Sequence, residues 1–203
     1  WKLVFNGTRY SFFLLAVFIL PLCFNIDFIL SLWLKEIPAY TNIFVILFLA
    51  NVLAESYSTY LITVLLATGK IAFYQASVGT ILLLNVPLSY LAFQWGYPPV
   101  SFLVVSIILT FAASALRLFL LKKRFSFSIT LFLRSVFLKT LLTILLVSAL
   151  NFMLLNLRSL LPYGNILVLL FSCLISMGGI YILGLNSEER RIVIVQAKKY
   201  LHR

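Results

Sequence analysis

The sequence predicts an all-α integral membrane protein with six transmembrane helices, and three observations carry that prediction. Of its 203 residues, 63% are hydrophobic and only 10% are charged, with mean hydropathy +1.11. A water-soluble fold needs a polar exterior that this composition cannot supply. Six apolar runs each approach the ~20 residues that a helix needs to cross a bilayer. Finally, lysine and arginine gather at the ends of those runs and alternate in number from one connection to the next.

The runs span about 11–33, 41–68, 71–95, 100–121, 139–161 and 164–184. "LKEIPAYT" parts the first two, "GYPPVS" the third and fourth, and "LLPYGN" the last two, with Pro and Gly marking turns. In "LLATGKIAFYQ", 65–75, Gly69 lets the second and third spans reverse almost without a loop. "SFSITLFLRSVFLK", 126–139, mixes aromatics, leucines and spaced cations, the pattern of an interfacial helix that turns into the fifth span. The tail "NSEERRIVIVQAKKYLHR" opens with Asn186 and Glu189 at capping-box spacing and is expected to anchor at the membrane.

Counting Lys and Arg by side orients the chain. One side collects fourteen of the sixteen, and the other has Lys35 and Arg158 alone. By the positive-inside rule both termini are cytoplasmic. The same distribution argues against nucleic acid as a partner, because the cations mark span ends instead of forming one phosphate-binding face. Cys23 and Cys173 lie in apolar runs and are expected as buried thiols, and no metal or cofactor motif is present. The only histidine is His202, and no acid–base or nucleophile cluster stands out, so no enzymatic activity is expected. The chain opens on Trp1 without a signal peptide and is expected to be the C-terminal part of a longer protein.

Ionisable groups within a span are costly and are therefore candidates for function. Glu55 follows Thr41 by about 21 Å of helix at 1.5 Å per residue, near the midplane. Asn51, Glu55 and Thr59 share one face with Ser58, which should meet protein or water. Glu55 is either a coupling carboxylate or a carboxyl bonded between packed helices. Asp27 lies toward the outer end of the first span, placed to face headgroups or pair with Lys35. Arg117 continues a small, polar face of Ser106, Thr110 and Ser114, which reads as helix packing. Arg117 itself is expected to snorkel to the cytoplasmic interface, an inward-facing cavity being the alternative. Pro87 predicts a kink in the third span, with Asn85 placed to satisfy the freed backbone.

The ordered stretches "RYSFFLLAVFILPLCFNIDFILSLWLKEIPAYT" (9–41), "LLATGKIAFYQ" (65–75), "LLLNVPLSYLAFQWGYPP" (82–99), "LRLFLLKK" (116–123) and "YILGLNSEERR" (181–191) resemble a known family. The chain is similar over its whole length to the C-terminal portion of bacterial polysaccharide (O-antigen type) flippases. These belong to the multidrug/oligosaccharidyl-lipid/polysaccharide exporter superfamily. The resemblance implies two helical lobes around a central cavity. Residues 1–125 would form four helices of the second lobe, and 126–203 an appended pair with its interfacial helix and tail. It also implies a bacterial inner-membrane protein that flips an undecaprenyl-pyrophosphate-linked oligosaccharide, as in lipopolysaccharide biosynthesis, by alternating access. Its partners would be that lipid-linked substrate, membrane lipids and the missing N-terminal lobe. Arg9, Lys70 and Arg117 are the cytoplasmic-side cations available for the pyrophosphate. The alternatives are a drug/cation antiporter of the same superfamily, a membrane-embedded glycan transferase or polymerase, and a non-catalytic membrane scaffold.

Overall fold

The computed structural model describes residues 1–67, 69, 71–156, 164–186 and 189–190. Among the described residues the chain is helical, with five helices long and apolar enough to cross a membrane, or six if one bent pair is a single span. Their outer faces carry Phe18, Phe48, Phe73, Leu83, Met153 and Met177 in exposed positions. So much exposed apolar surface is stable only against lipid, and the chain is a multi-pass membrane protein.

The first span is two helices, α1 (Lys2–Phe24) and α2 (Ile26–Ser31). It begins well before the expected residue 11. Pro21 cannot donate its own helical bond, and the buried Asn25 ends α1 by giving both its backbone N–H (3.1 Å) and its Nδ2 (3.0 Å) to the Pro21 carbonyl. The second span is also divided, into α3 (Thr41–Ser56) and α4 (Thr59–Ala67), bent by 40°. No proline or glycine sits at this break. Instead Ser56 Oγ bonds back to the Leu53 carbonyl at 2.7 Å, and the Ser58 N–H tightens onto the Glu55 carbonyl at 2.8 Å. Serine back-bonding of this kind bends helices.

At the hairpin, Gly69 has φ +73°, the left-handed conformation that glycine adopts without strain. The third span, α5 (Ile71–Leu83) and α6 (Asn85–Gln94), breaks at Leu84. Pro87 leaves the Leu83 carbonyl without its partner, and the Leu84 N–H is shared between the Thr80 and Ile81 carbonyls at 3.3 and 3.2 Å. The helical pattern is interrupted at Leu84, three residues before the proline, while Ile71–Gln94 still runs as one span of 24 residues. α7 (Ser101–Phe125) runs a turn past the expected end.

The interfacial helix expected over 126–138 is not a separate element. α8 (Ile129–Phe132), a π-helical turn (Leu133–Phe137) and α9 (Leu138–Asn156) form one unbroken helix of 28 residues. Only Ser126, Phe127 and Ser128 connect it to α7. Ser126 turns the chain with φ +51° and Ser128 Oγ caps α8 through the Leu131 N–H at 3.3 Å. Between them Phe127, 2% exposed, fills a nest of rings. Its centroid lies 4.8 Å from Trp1, 5.6 Å from Phe5 and 5.8 Å from Phe132. α10 (Gly164–Gly179) continues through a π turn to Gly184, agreeing with the expected last span. The "LLPYGN" turn lies largely outside the described residues.

α1 packs against α3, α9 and α10, while α7 packs against α3, α4, α5 and α6. Phe12, Phe13, Ala16, Tyr57, Leu61, Leu121 and Val136 form the common core. Close approach of α1 to the π turn depends on Gly184, where a Cβ would lie 2.8 Å from the Phe13 ring. Cys23 is half-buried, but Cys173 faces outward on α10 and is not the buried thiol expected.

Candidate functional site

The polar residues of the second and fourth spans converge on one cavity. It has a volume of about 270 Å³ and is lined by Glu55, Ser58, Thr59, Ile62, Leu82, Thr110, Ala113 and Arg117. α3 and α4 supply the first four around their break, and α7 supplies three from successive turns of one face.

Arg117 is 7% exposed and does not snorkel. Its Nε donates to the Tyr74 hydroxyl at 3.1 Å and its Nη1 to Ser58 Oγ at 2.9 Å. Ser58 and Ser114 hydroxyls are 2.7 Å apart, and Ser114 Oγ donates to the Thr110 carbonyl at 2.8 Å. With that proton committed, Ser58 is the donor to Ser114, so the bonds run in one direction from Arg117 into the backbone of α7. Thr110 Oγ1 donates in turn to Asn51 Oδ1 at 3.0 Å. Thr110 and Ser114, read as packing residues, therefore belong to the site's polar frame.

All of these partners of Arg117 are neutral. Among the described residues no ion pair joins it to Glu55, although both line the cavity. Glu55 is exposed at the break and is one of the residues that line the cavity. The arrangement is a half-open polar recess holding one buried cation and one accessible carboxylate. Such a recess can receive a polar or anionic group and can exchange a proton or small ion at the carboxylate.

The other sequence candidates lie elsewhere. Arg9 is buried and its Nη2 is engaged by Glu189 Oε1, the one ion pair among the described residues. Glu189 Oε2 also accepts the Asn186 N–H at 2.7 Å, the return bond of the expected capping box. The Asn186 side chain does not complete the box but accepts from Lys139 Nζ. Burial opposes ionisation of Glu189, yet the Asn186 N–H, the Tyr10 hydroxyl and the charges of Arg9 and Lys139 outweigh it and hold the carboxyl below its ordinary value. Asp27 is exposed and accepts from Asn42 Nδ2 instead of pairing with Lys35. Asn85 accepts from Ser89 Oγ at 2.9 Å within its own helix. Lys70 lies outside the described residues.

Three contacts had no counterpart in the sequence reading. Tyr74 holds Arg117 from α5. Tyr57 and Thr140 hydroxyls meet at 2.7 Å between the α3–α4 break and α9. Asn151 of α9 donates to the Val147 carbonyl and to Ser176 Oγ, and accepts from Ser172 Oγ. A buried asparagine facing serines four residues apart was the available signal for the last. Among the described residues no group of three or more His, Cys, Asp or Glu is placed to hold a metal.

No family model, curated protein or solved structure matches the chain.

Proposed function

We propose that the chain is the C-terminal half of a flippase that carries a lipid-linked oligosaccharide across the bacterial inner membrane by alternating access. The observation that carries this reading is Glu55, an exposed carboxylate midway along a spanning segment, at a 40° break and sharing a cavity with buried Arg117. A carboxylate at that depth is tolerated where it faces water or protein, not hydrocarbon. Broken helices at membrane depth likewise occur where they line cavities. A polar recess of this kind lowers the cost of moving an anionic headgroup through about 30 Å of hydrocarbon.

In this reading Arg117 attracts the phosphates and Glu55 couples movement to a proton or ion. Arg9 drops out of the first role because Glu189 already neutralises it. The order of the sequence stretches that resemble polysaccharide exporters supports the choice of cargo. Both termini are then cytoplasmic, in line with the distribution of lysine and arginine.

The test is surface-polysaccharide export in cells lacking the full-length gene, complemented with wild type, Glu55→Gln or Arg117→Met at matched membrane levels. Export should fall to the background of the deletion strain in both variants. Full export by either would remove that residue's role, and full export by both would sink the reading. The exposure of Glu55 favours one second reading, a cation/drug antiporter of the same superfamily. Drug resistance that depends on Glu55 while export does not would select it.

A further inference from the structure

A second cavity lies far along the chain from Glu55 and Arg117, on the outer surface between α1 and the end of α10. It is a groove of about 330 Å³ walled by Phe13, Leu14, Val17, Ile180 and Leu185. Tyr10 and Glu189 form its polar end. That volume falls in the ~300–1,000 Å³ range of sites that enclose small-molecule-sized groups. Its walls offer nothing to a polar ligand along most of their length.

The one charged residue that lines this end, Glu189, has cations around it. Among the described residues Arg9, Lys139 and Arg190 gather around the carboxylate of Glu189. Arg9 cancels Glu189 by direct pairing. Lys139 is held by a neutral oxygen, Asn186 Oδ1. Arg190 donates Nε to the Leu185 carbonyl at 3.1 Å and Nη2 to the Ile182 carbonyl at 2.5 Å, capping the end of the span. Among the described residues neither Lys139 nor Arg190 forms an ion pair with a carboxylate, so within that set three cations face one anion. The contacts also fix the level. They place Arg9, Lys139 and Glu189 together, just before the apolar lengths of α1 and α9 and just after that of α10. Charged layers at the ends of apolar spans lie at headgroup depth.

The geometry points to a binding site for an anionic phospholipid of the surrounding leaflet, with an acyl chain in the groove and its phosphate at Lys139 and Arg190. Hydrocarbon matches the walls, and basic pockets between spanning helices on the cytoplasmic side suit anionic headgroups. A zwitterionic lipid fills the groove equally well but gains nothing from the surplus charge. The site serves to hold the end of α10 and the start of the tail against α1, and it is independent of any transported cargo.

The full chain is reconstituted in phosphatidylcholine vesicles doped with spin-labelled phosphatidylglycerol or spin-labelled phosphatidylcholine, and the immobilised lipid fraction is measured. Phosphatidylglycerol should be preferred, and Lys139→Gln and Arg190→Gln should each reduce that preference by roughly fivefold, as loss of one surface cation predicts. Val17→Trp, which fills the groove, should also remove it, with Leu14→Phe as the substitute if the tryptophan variant does not fold. Equal immobilisation of the two lipids by wild type would overturn the proposal. So would a preference that survives the Lys139→Gln/Arg190→Gln double variant or the groove-filling variant.

Discussion

Glu189→Gln separates two functions of one side chain. Glutamine can still reach back to the Asn186 N–H, since Glu and Gln both serve at this position of a capping box. What it removes is the negative charge beside Arg9. The two side chains are only 6% and 11% exposed, so Arg9 would be left as a buried cation facing Lys139 and Arg190. Removing one partner of a buried pair costs about 3–5 kcal/mol. Here about 2–3 kcal/mol is expected, because Glu189 borders an open groove that water and headgroups can enter. Arg9→Met in the same chain removes the stranded charge, so the double variant should recover most of the loss. The carboxyl titrates below its ordinary value of 4.5 in the folded state, so the pair's contribution is complete above that pH and is lost as the pH falls through the folded value. The gap between wild type and Glu189→Gln should therefore close in acid. Reversible unfolding in mixed micelles, as a function of pH, measures all three chains. A Glu189→Gln variant as stable as wild type at neutral pH, or a double variant less stable than the single one, would refute the reasoning.

Four further outcomes follow from the packing. Asn151→Leu deletes two interhelical bonds between α9 and α10. At ~0.6 kcal/mol each, and at most ~1.7, micellar unfolding should register a loss of about 1–2 kcal/mol. Gly184→Val drives a side chain into the buried Phe13 ring and should cost about 1–3 kcal/mol. Gly178→Ala, which meets open space, should stay within ~0.5 kcal/mol in the same assay. Tyr57→Phe removes the bond to Thr140, whose hydroxyl keeps its own bond to the Val136 carbonyl, so a loss of about 0.5–1 kcal/mol is expected.

The spans were legible because hydropathy over ~20 residues is a local property of the chain. The Pro87 break and the Gly69 reversal were legible for the same reason, since each residue imposes its geometry on its own neighbours. The bend at Tyr57 and Ser58 was not, because it depends on serine hydroxyls whose partners lie on α3 and α7. For the site, the sequence placed Asn51, Glu55, Ser58 and Thr59 on one face and Thr110, Ser114 and Arg117 on another. It could not say that the two faces meet. The direction of Arg117 was misjudged for that reason. A snorkelling arginine and a buried one have the same local sequence, and only Tyr74 and Ser58, 43 and 59 residues away, distinguish them. Arg9 was read as a free cation because its partner is 180 residues distant.

The three-residue link between α7 and α8 has a mechanical consequence. Ser126 supplies the change of direction, and Phe127 is clamped by rings from α1 and α8, so the link has no slack with which to absorb a displacement of α7. Close-packed interiors pass strain on instead of dissipating it. Any displacement of α7 is therefore expected to reach the start of α1 and the α8–α9 helix through Phe127, as a crank pin seated in its bearing transmits a turn. The start of the long α8–α9 helix is thus pinned to both α1 and the end of α7 by one side chain.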